Sequence, residues 1–306
     1  MIALERVSRW YGQVIGVNDV SCSIPTGLTA LLGPNGAGKS TMMKLITGQL
    51  RPTTGRLTVL GLPPFANTAV YRRLGYCPEI DNFYEVMTGR QFVTLLGAMG
   101  GVPRAKLKSR AAEVIERVGM TAACDRKIGG YSKGMRQRIK IAQGIIHDPQ
   151  VFILDEPLNG LDPPGRREIS ALLRHLADDG KCILVSSHIL YEVEQLTHNI
   201  LLIDHGRLMA QGDIYRIRGL IDQHPHRIAV RAKRAHSLAR RLLEFPGVVS
   251  LHFDDRDADR VEVETRAPEQ FYAQFPTLVL ADGFEVASME SPDNNLEAVF
   301  RYLVRQ

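Results

Sequence analysis

Residues 33–40, Gly-Pro-Asn-Gly-Ala-Gly-Lys-Ser, have the spacing G-x-x-x-x-G-K-[ST] and stand between an apolar run and a stretch of helix-forming residues. Glycines let backbone N–H groups surround phosphate oxygens at the amino end of a helix, where the helix dipole also favours negative charge. A lysine at this spacing reaches β and γ phosphates, and the following hydroxyl is a magnesium ligand. The segment therefore predicts a nucleoside triphosphate site, with Lys39 catalytic and Ser40 a metal ligand. The predicted binding residues are Asn35, Gly36, Ala37, Gly38, Lys39, Ser40 and Thr41.

Two carboxylates, Asp155 and Glu156, directly follow the apolar run at 151–154. Because open α/β sheets bind ligands at the carboxyl ends of their strands, we expect both acids near residues 33–40, which we call the phosphate loop. Asp155 would hold magnesium through water, and Glu156 would polarise the water that attacks the γ phosphate. Alone, the pair is equally typical of a solvated strand end. Together with the phosphate loop it predicts hydrolysis.

Residues 131–138, Tyr-Ser-Lys-Gly-Met-Arg-Gln-Arg, begin a predicted helix shortly before that strand. Here the chain resembles the ATP-binding cassette family, whose signature LSGGQ has the same place. Ser132 and Gly134 match the signature, whereas Tyr131, Lys133 and Met135 differ from it, as in cassette subunits paired with exporter-type permeases. The resemblance implies that Ser132, Gly134 and Met135 contact ATP bound by a second copy. The alternative is a helix that Ser132 merely caps.

Further positions extend the resemblance over residues 1 to about 215. Residues 158–162 are similar to the family's D-loop, and His188 has the place of its catalytic switch histidine. Tyr11 has the place of the aromatic residue that stacks on adenine, although Trp10 could serve instead. Glu79 stands where the family has the glutamine of its Q-loop, which implies contact with nucleotide, magnesium or water. Its carboxylate adds negative charge near the γ phosphate.

The elements that must position these residues follow an α/β pattern. Apolar runs bounded by turn residues predict strands at 2–7, 19–24, 28–32, 151–154 and 182–185. Strand, helix (162–180) and strand in succession indicate a parallel sheet. Between about 86 and 146 the period becomes helical, with a capping box at Thr88. With the resemblance, residues 1–220 are predicted to form a P-loop NTPase core with a parallel sheet, an antiparallel β subdomain and a helical subdomain.

Residues 221–306 are predicted to form a separate accessory α+β domain. Its predicted elements are strand, helix, strand, strand, helix, strand and a last helix, at 227–231, 235–245, 248–253, 260–264, 268–278, 284–289 and 294–304. This order is that of a ferredoxin-like module. Its histidines are scattered, as surface histidines are, and we assign it no part in ATP binding. Residues 294–300 resemble the tail of many export-type cassette subunits.

Composition limits the other function classes. The 306-residue chain carries 38 Lys+Arg against 33 Asp+Glu and is 44% hydrophobic, an ordinary globular balance. Its four cysteines form no C-x-x-C pair, which argues against a disulfide framework or structural zinc and favours a reducing cytosol. No stretch approaches the roughly 20 apolar residues that cross a bilayer. No basic run is interleaved with aromatic residues, so we expect no nucleic-acid partner.

The resemblance implies an ATPase subunit of an export transporter, with ATP and Mg²⁺ as cofactors. The expected partners are integral membrane permease subunits and a second copy of the chain, with each ATP held between the two copies. The chain would then be cytoplasmic and peripheral on the inner face of the membrane, in contact with the permease through the helical segment and the Glu79 loop. The alternatives are a soluble cassette ATPase acting on nucleic acid or ribosomes, and a nucleotide-gated regulatory module with little turnover.

Overall fold

The computed structural model describes residues 1–219, 225–254, 257–293 and 296–297. Contacts within the chain divide it into two compact units, Met1–Gly212 and Asp213–Gln306, which we describe separately. Among the described residues, no helix combines the length and the apolar character that crossing a membrane requires.

The strands that begin in the first unit are β1 (Ile2–Tyr11), β2 (Val14–Ile24), β3 (Gly27–Leu32), β4 (Thr54–Val59), β5 (Leu74–Cys77), β6 (Val151–Asp155), β7 (Cys182–Ser186), β8 (Asn199–Asp204) and β9 (Arg207–Asp213). Its helices are α1 (Lys39–Ile46), α2 (Thr68–Tyr71), α3 (Gly89–Met99), α4 (Arg104–Arg117), α5 (Lys133–Ile145), α6 (Pro163–Asp178) and α7 (Leu190–Leu196). Strands and helices alternate along much of the unit, which confirms the predicted α/β class.

The central sheet has the strand order β5-β6-β7-β3-β8-β9. The pairs β5–β6, β6–β7, β7–β3 and β3–β8 are parallel, and every residue of β6 and β7 is buried, as strands covered on both faces must be. Because β3, β6 and β7 are parallel, their carboxyl ends lie at one edge of the sheet. The segments that follow these strands therefore meet there.

A second, antiparallel sheet has the order β2-β1-β4. Its apolar residues, among them Ile2, Val17 and Val59, share one core with Met42 of α1 and Leu184 of the central sheet. The predicted antiparallel β subdomain is thus confirmed. It covers one face of α1.

Helices α3, α4 and α5 form the helical part of the unit. Thr88 begins α3 with the predicted capping box, accepting the N–H of Gln91 while the Gln91 side chain accepts the N–H of Thr88. The apolar face of α4 is buried at Ala111, Val114 and Ile115. These helices share a core with the sheet at Phe152 and other residues, so they are packed onto the sheet and are not a separate body.

The second unit begins with α8 (Ile214–Gly219) and continues through β10 (His226–Ala232), α9 (Ala235–Leu242), β11 (Val248–Asp254), β12 (Asp257–Thr265), α10 (Pro268–Asp282) and β13 (Val286–Glu290). Its sheet has the order β11-β12-β10-β13 with antiparallel pairing, which is the ferredoxin-like arrangement. Alternate residues such as Ile228 and Val263 pack against Leu238 of α9 and Phe271 of α10. The predicted helix at 294–304 falls outside the described residues except for Leu296 and Glu297.

Helix α8 lies in the second unit, whereas the sequence divides the chain after residue 220. Arg218 explains this placement because its side chain is 1% exposed. Its guanidinium donates to a carboxylate oxygen of Asp293 at 2.5 Å and to the carbonyl of Pro225 at 3.2 Å. Because a buried arginine needs such partners, the contact between Arg218 and Asp293 holds α8 in the second unit.

Candidate nucleotide-binding site

The loop between β3 and α1 leaves the amino end of the helix open for a ligand. Gly38 caps α1 in the left-handed conformation, with φ of 107°, and no side chain accepts the first helical N–H groups. A Cβ on Gly38 would lie 2.3 Å from the carbonyl oxygen of Gly16, so glycine is required at this position. The unpaired N–H groups and the helix dipole favour an anion at this end of α1.

An open cleft of about 460 Å³ lies over this loop. Most of the predicted site residues line it, namely Tyr11, Asn35, Gly36, Gly38, Lys39, Ser40, Thr41, Glu79, Asp155, Glu156 and His188. Lys39 extends across the loop, where its ammonium donates to the carbonyls of Gly33 at 2.7 Å and Pro34 at 3.1 Å. This position brings a positive charge to the phosphate loop. Ala37 is buried within the loop and does not line the cleft.

Asp155 ends β6 and is buried, with 7% of its surface exposed. It accepts a hydrogen bond from the hydroxyl of Ser186 at 2.5 Å, and the same hydroxyl accepts the N–H of Glu156 at 3.0 Å. Ser186 ends β7 and is the register partner of Asp155. Sequence reasoning missed Ser186; the signal was a hydroxyl at the end of the strand that must lie beside β6.

Glu156 and His188 form a close pair at the edge of the sheet. The Nδ1–H of His188 donates to Oε1 of Glu156 at 2.8 Å. Burial raises the pKa of Glu156 above its ordinary value, while the hydrogen bond from His188 and the charge of Lys39 oppose that rise. A half-buried carboxylate with a raised pKa, held by an imidazole beside a phosphate loop, is an arrangement suited to orienting and polarising a water molecule.

The two candidates for the aromatic base contact, Tyr11 and Trp10, differ in their position relative to the cleft. Tyr11 lines the cleft and Trp10 does not. The hydroxyls of Tyr11 and Thr41 lie 3.4 Å apart, and the guanidinium of Arg9 lies 5.1 Å from the centre of the Tyr11 ring. The Tyr11 ring is therefore held beside α1.

Glu79 lines the same cleft from the segment that follows β5. The signature residues Ser132, Gly134 and Met135 do not line it. Ser132 begins α5 as its N-cap, where its hydroxyl accepts the N–H of Met135 at 3.3 Å. Asp162 likewise caps α6 by accepting the N–H of Gly165 at 3.2 Å. The signature contact with nucleotide stays a prediction that requires a second copy.

A family model described as ABC transporter matches residues 17–159. The chain is 35% identical over 219 residues to an uncharacterized ABC transporter ATP-binding protein, YxlF, of Bacillus subtilis strain 168, across 71% of this chain and 72% of that protein. It is 32% identical over 294 residues to the daunorubicin/doxorubicin resistance ATP-binding protein DrrA of Streptomyces peucetius, across 95% of this chain and 88% of that protein. A Nod factor export ATP-binding protein I of Rhizobium sp. strain N33 is 35% identical over 225 residues, 73% of either chain.

Solved structures give the same result. A structure of the ATP-binding subunit of an ABC transporter has a TM-score of 0.66 and 28% identity, covering 71% of this chain and 92% of that one. A bacterial ABC transporter cassette solved as a dimer has the same fold, with a TM-score of 0.65 and 22% identity over 70% of this chain and 98% of that one. The sequence of its phosphate loop, the order of its central sheet and its similarity to these relatives show that the chain belongs to the ATP-binding proteins of ABC transporters.

Proposed function

We propose that the chain hydrolyses Mg²⁺-bound ATP in this cleft and thereby drives a separate membrane transporter. The observation that carries the proposal is the 2.8 Å hydrogen bond between His188 and Glu156 beside the phosphate loop. Glu156 accepts a proton from the attacking water, and His188 holds the carboxylate in place. Lys39 and the loop N–H groups bind the β and γ phosphates. Tyr11 stacks on the base.

The oxygen donors of the cleft fit magnesium bound together with a nucleotide. Ser40, Glu79 and Asp155 all line the cleft, and Mg²⁺ prefers such oxygen ligands. Among the described residues, no group of His, Cys, Asp and Glu side chains forms a metal site by itself. That agrees with Mg²⁺ held by one or two protein oxygens plus phosphates. When bound, the ion neutralises charge on the phosphates; Ser40 and Asp155 would hold it, with Glu79 reaching it or a bound water.

The place of the signature residues supports an ATP-bound dimer. Ser132, Gly134 and Met135 begin a helix outside the cleft of their own chain, so only nucleotide presented by another molecule can reach them. Two copies facing each other satisfy this requirement reciprocally. We propose that ATP closes such a dimer and that hydrolysis releases it.

The proposed permease contact is an apolar groove beside the Glu79 loop. The groove, about 350 Å³, is lined among others by Leu74, Phe83, Phe92 and Leu96. Within three residues of Phe83 in the chain, Ile80 and Tyr84 are 72% and 59% exposed, and Val86 is 78% exposed. Exposed apolar groups of this size favour a protein partner. The occupant we propose is an apolar cytoplasmic segment of the permease, and the named export and resistance proteins among the relatives favour export as the direction.

The proposed function is tested with purified protein by measuring phosphate release from ATP as Mg²⁺ is varied. We expect turnover that requires Mg²⁺ and that Lys39→Met abolishes, because the ammonium on the phosphate loop is lost. Lys44→Met, on an exposed position of the same helix, is the matched control and should leave turnover unchanged. Equal turnover in the Lys39→Met protein would refute the assignment of this cleft.

For the permease contact, Ile80→Glu should reduce co-purification with a polytopic membrane protein, whereas Leu280→Glu should not.

A further inference from the structure

Helix α5 carries a row of polar side chains that the proposed reaction does not use. The row is Gln137, Lys140 and Gln143, spaced three residues apart and therefore on one face of the helix. Gln137 and Lys140 are 4% and 5% exposed. Polar groups buried to this extent need hydrogen-bond partners. Their partners show what the row does.

Each member of the row donates to a backbone carbonyl at the carboxyl edge of the sheet. The Gln137 amide donates to the carbonyl of Pro157 at 2.8 Å, next to Glu156. The Gln143 amide donates to the carbonyl of Tyr76 in β5 at 2.8 Å. The row thus contacts both segments that carry a carboxylate into the nucleotide cleft.

Lys140 is the charged member and makes the most contacts. Its ammonium donates to the carbonyls of Pro78 at 3.1 Å and Glu79 at 2.9 Å, and it pairs with the Asp81 carboxylate at 2.9 Å. These three contacts match the three hydrogens of an ammonium group. Because a buried charge without partners is costly, the backbone on both sides of Glu79 is tied to α5.

A cavity between α5 and the loops after β5 and β6 lies beside the Lys140 contacts and adjoins the nucleotide cleft. It measures about 380 Å³ and is lined by Lys140 together with Glu79 and Glu156, both of which also line the nucleotide cleft. Helix α5, which begins after Ser132, therefore borders the same cavity as Glu79 and Glu156.

We infer that Lys140 is a positioning residue that ties the Glu79 loop to the helix beginning at Ser132. Lys140 thereby holds Glu79 at the position where it lines the nucleotide cleft. The expected effect on turnover rests on the proposed function. The contact between Lys140 and the Glu79 loop does not depend on it.

The test compares Lys140→Met with Lys108→Met, a matched control on the exposed surface of α4. In nucleotide-free protein, we expect faster cleavage of the exposed bond after Glu79 by a glutamate-specific protease in Lys140→Met only, because the Glu79 carbonyl and its neighbour lose their contacts with the ammonium. ATP affinity should be unchanged, since Lys39 and the phosphate loop remain. Turnover should fall about tenfold, which corresponds to about 1.4 kcal/mol of activation free energy.

A double variant separates positioning from general damage. If Lys140 acts through Glu79, the Glu79→Ala/Lys140→Met protein turns over no more slowly than Glu79→Ala alone. If the turnover losses of the two single variants multiply in the double variant, or if cleavage after Glu79 is unchanged in Lys140→Met, the inference is overturned. If Lys140→Met does not fold, Asp81→Asn keeps both carbonyl contacts and should give a smaller acceleration of the same cleavage; no acceleration there overturns the inference equally. Absence of ATP turnover in the wild type would refute the proposed function alone, because the cleavage measurement does not depend on hydrolysis.

Discussion

Glu156 has a left-handed backbone, with φ of 50°, at a position that is not glycine. Such a conformation costs an L-residue about 1–2 kcal/mol. Here it accompanies the contacts of the backbone N–H with Ser186 and of the side chain with His188. Strain of this kind persists where surrounding contacts over-determine it, and it often marks a functional residue.

Glu156→Gln should keep ATP bound while slowing turnover by orders of magnitude. The amide preserves the shape of the side chain but cannot accept a proton from water. Nucleotide affinity and phosphate release are to be measured on the same preparation, with wild type as reference. Wild-type turnover in the variant would remove Glu156 from the reaction.

The pH dependence of turnover should report the environment of Glu156. Burial raises the pKa of this carboxyl, so its ionised form is lost, as pH falls, at a higher pH than for an ordinary glutamate. His188 opposes that rise, so the residual turnover of His188→Ala should decline at a still higher pH. Profiles of turnover against pH for the two proteins decide this. A decline of the variant at lower pH than the wild type would contradict the assigned pair.

At the scale of elements, the parallel pairing of β3, β6 and β7 brings residues from three distant segments to one edge. Helix α5 then contacts the two loops that follow β5 and β6. Its amino end, at Ser132, is exposed and outside the cleft of its own chain. One helix therefore contacts the loops that carry Glu79 and Glu156 and has the predicted signature residues at its exposed amino end.

Ser132→Arg should leave ATP binding to a single chain nearly unchanged, because Lys39 and the phosphate loop supply that affinity. It should abolish dimerisation in ATP, since a bulky cation would occupy the space that the phosphate must enter. Sedimentation of Glu156→Gln protein with and without Ser132→Arg, beside a nucleotide titration, separates the two effects. If the double variant still dimerises in ATP, Ser132 is only a helix cap.

At the scale of the whole molecule, every predicted ATP-site residue lies in the first unit. A protein ending at Gly212 should therefore bind ATP with nearly unchanged affinity. The measurement is a nucleotide titration of truncated and full-length protein, with circular dichroism to establish that the shorter chain is folded. Loss of binding by a folded truncation would show that residues 213–306 complete the site.

The second unit contains a buried ion pair, Arg218–Asp293. Arg218→Met would leave the Asp293 carboxylate, which is 7% exposed, without its guanidinium partner. Removing one member of a buried pair costs about 3–5 kcal/mol. Denaturant unfolding should show that loss, with ATP affinity unchanged. Arg216→Met, at an exposed position of the same helix, is the control, and an equal effect of both variants would contradict the role of the pair.

The nucleotide site was predictable from sequence because its main parts are local. Residues 33–40 form one continuous loop, and Asp155 and Glu156 follow a strand whose apolar run is visible in the chain. The parallel order of these strands follows from general rules of chain connection. Resemblance added His188 and Glu79, whose roles stay predictions.

The tertiary structure decided the contacts between distant segments. Ser186 reaches Asp155 because of the register of two strands, and Lys140 reaches Glu79 because α5 packs across the end of β5. Packing likewise placed Tyr11 rather than Trp10 in the cleft and held Arg218 beside Asp293. Local patterns predict which residues bind phosphate, since a loop and a helix terminus suffice for such a site. Which residues support them depends on how elements far apart in sequence pack together.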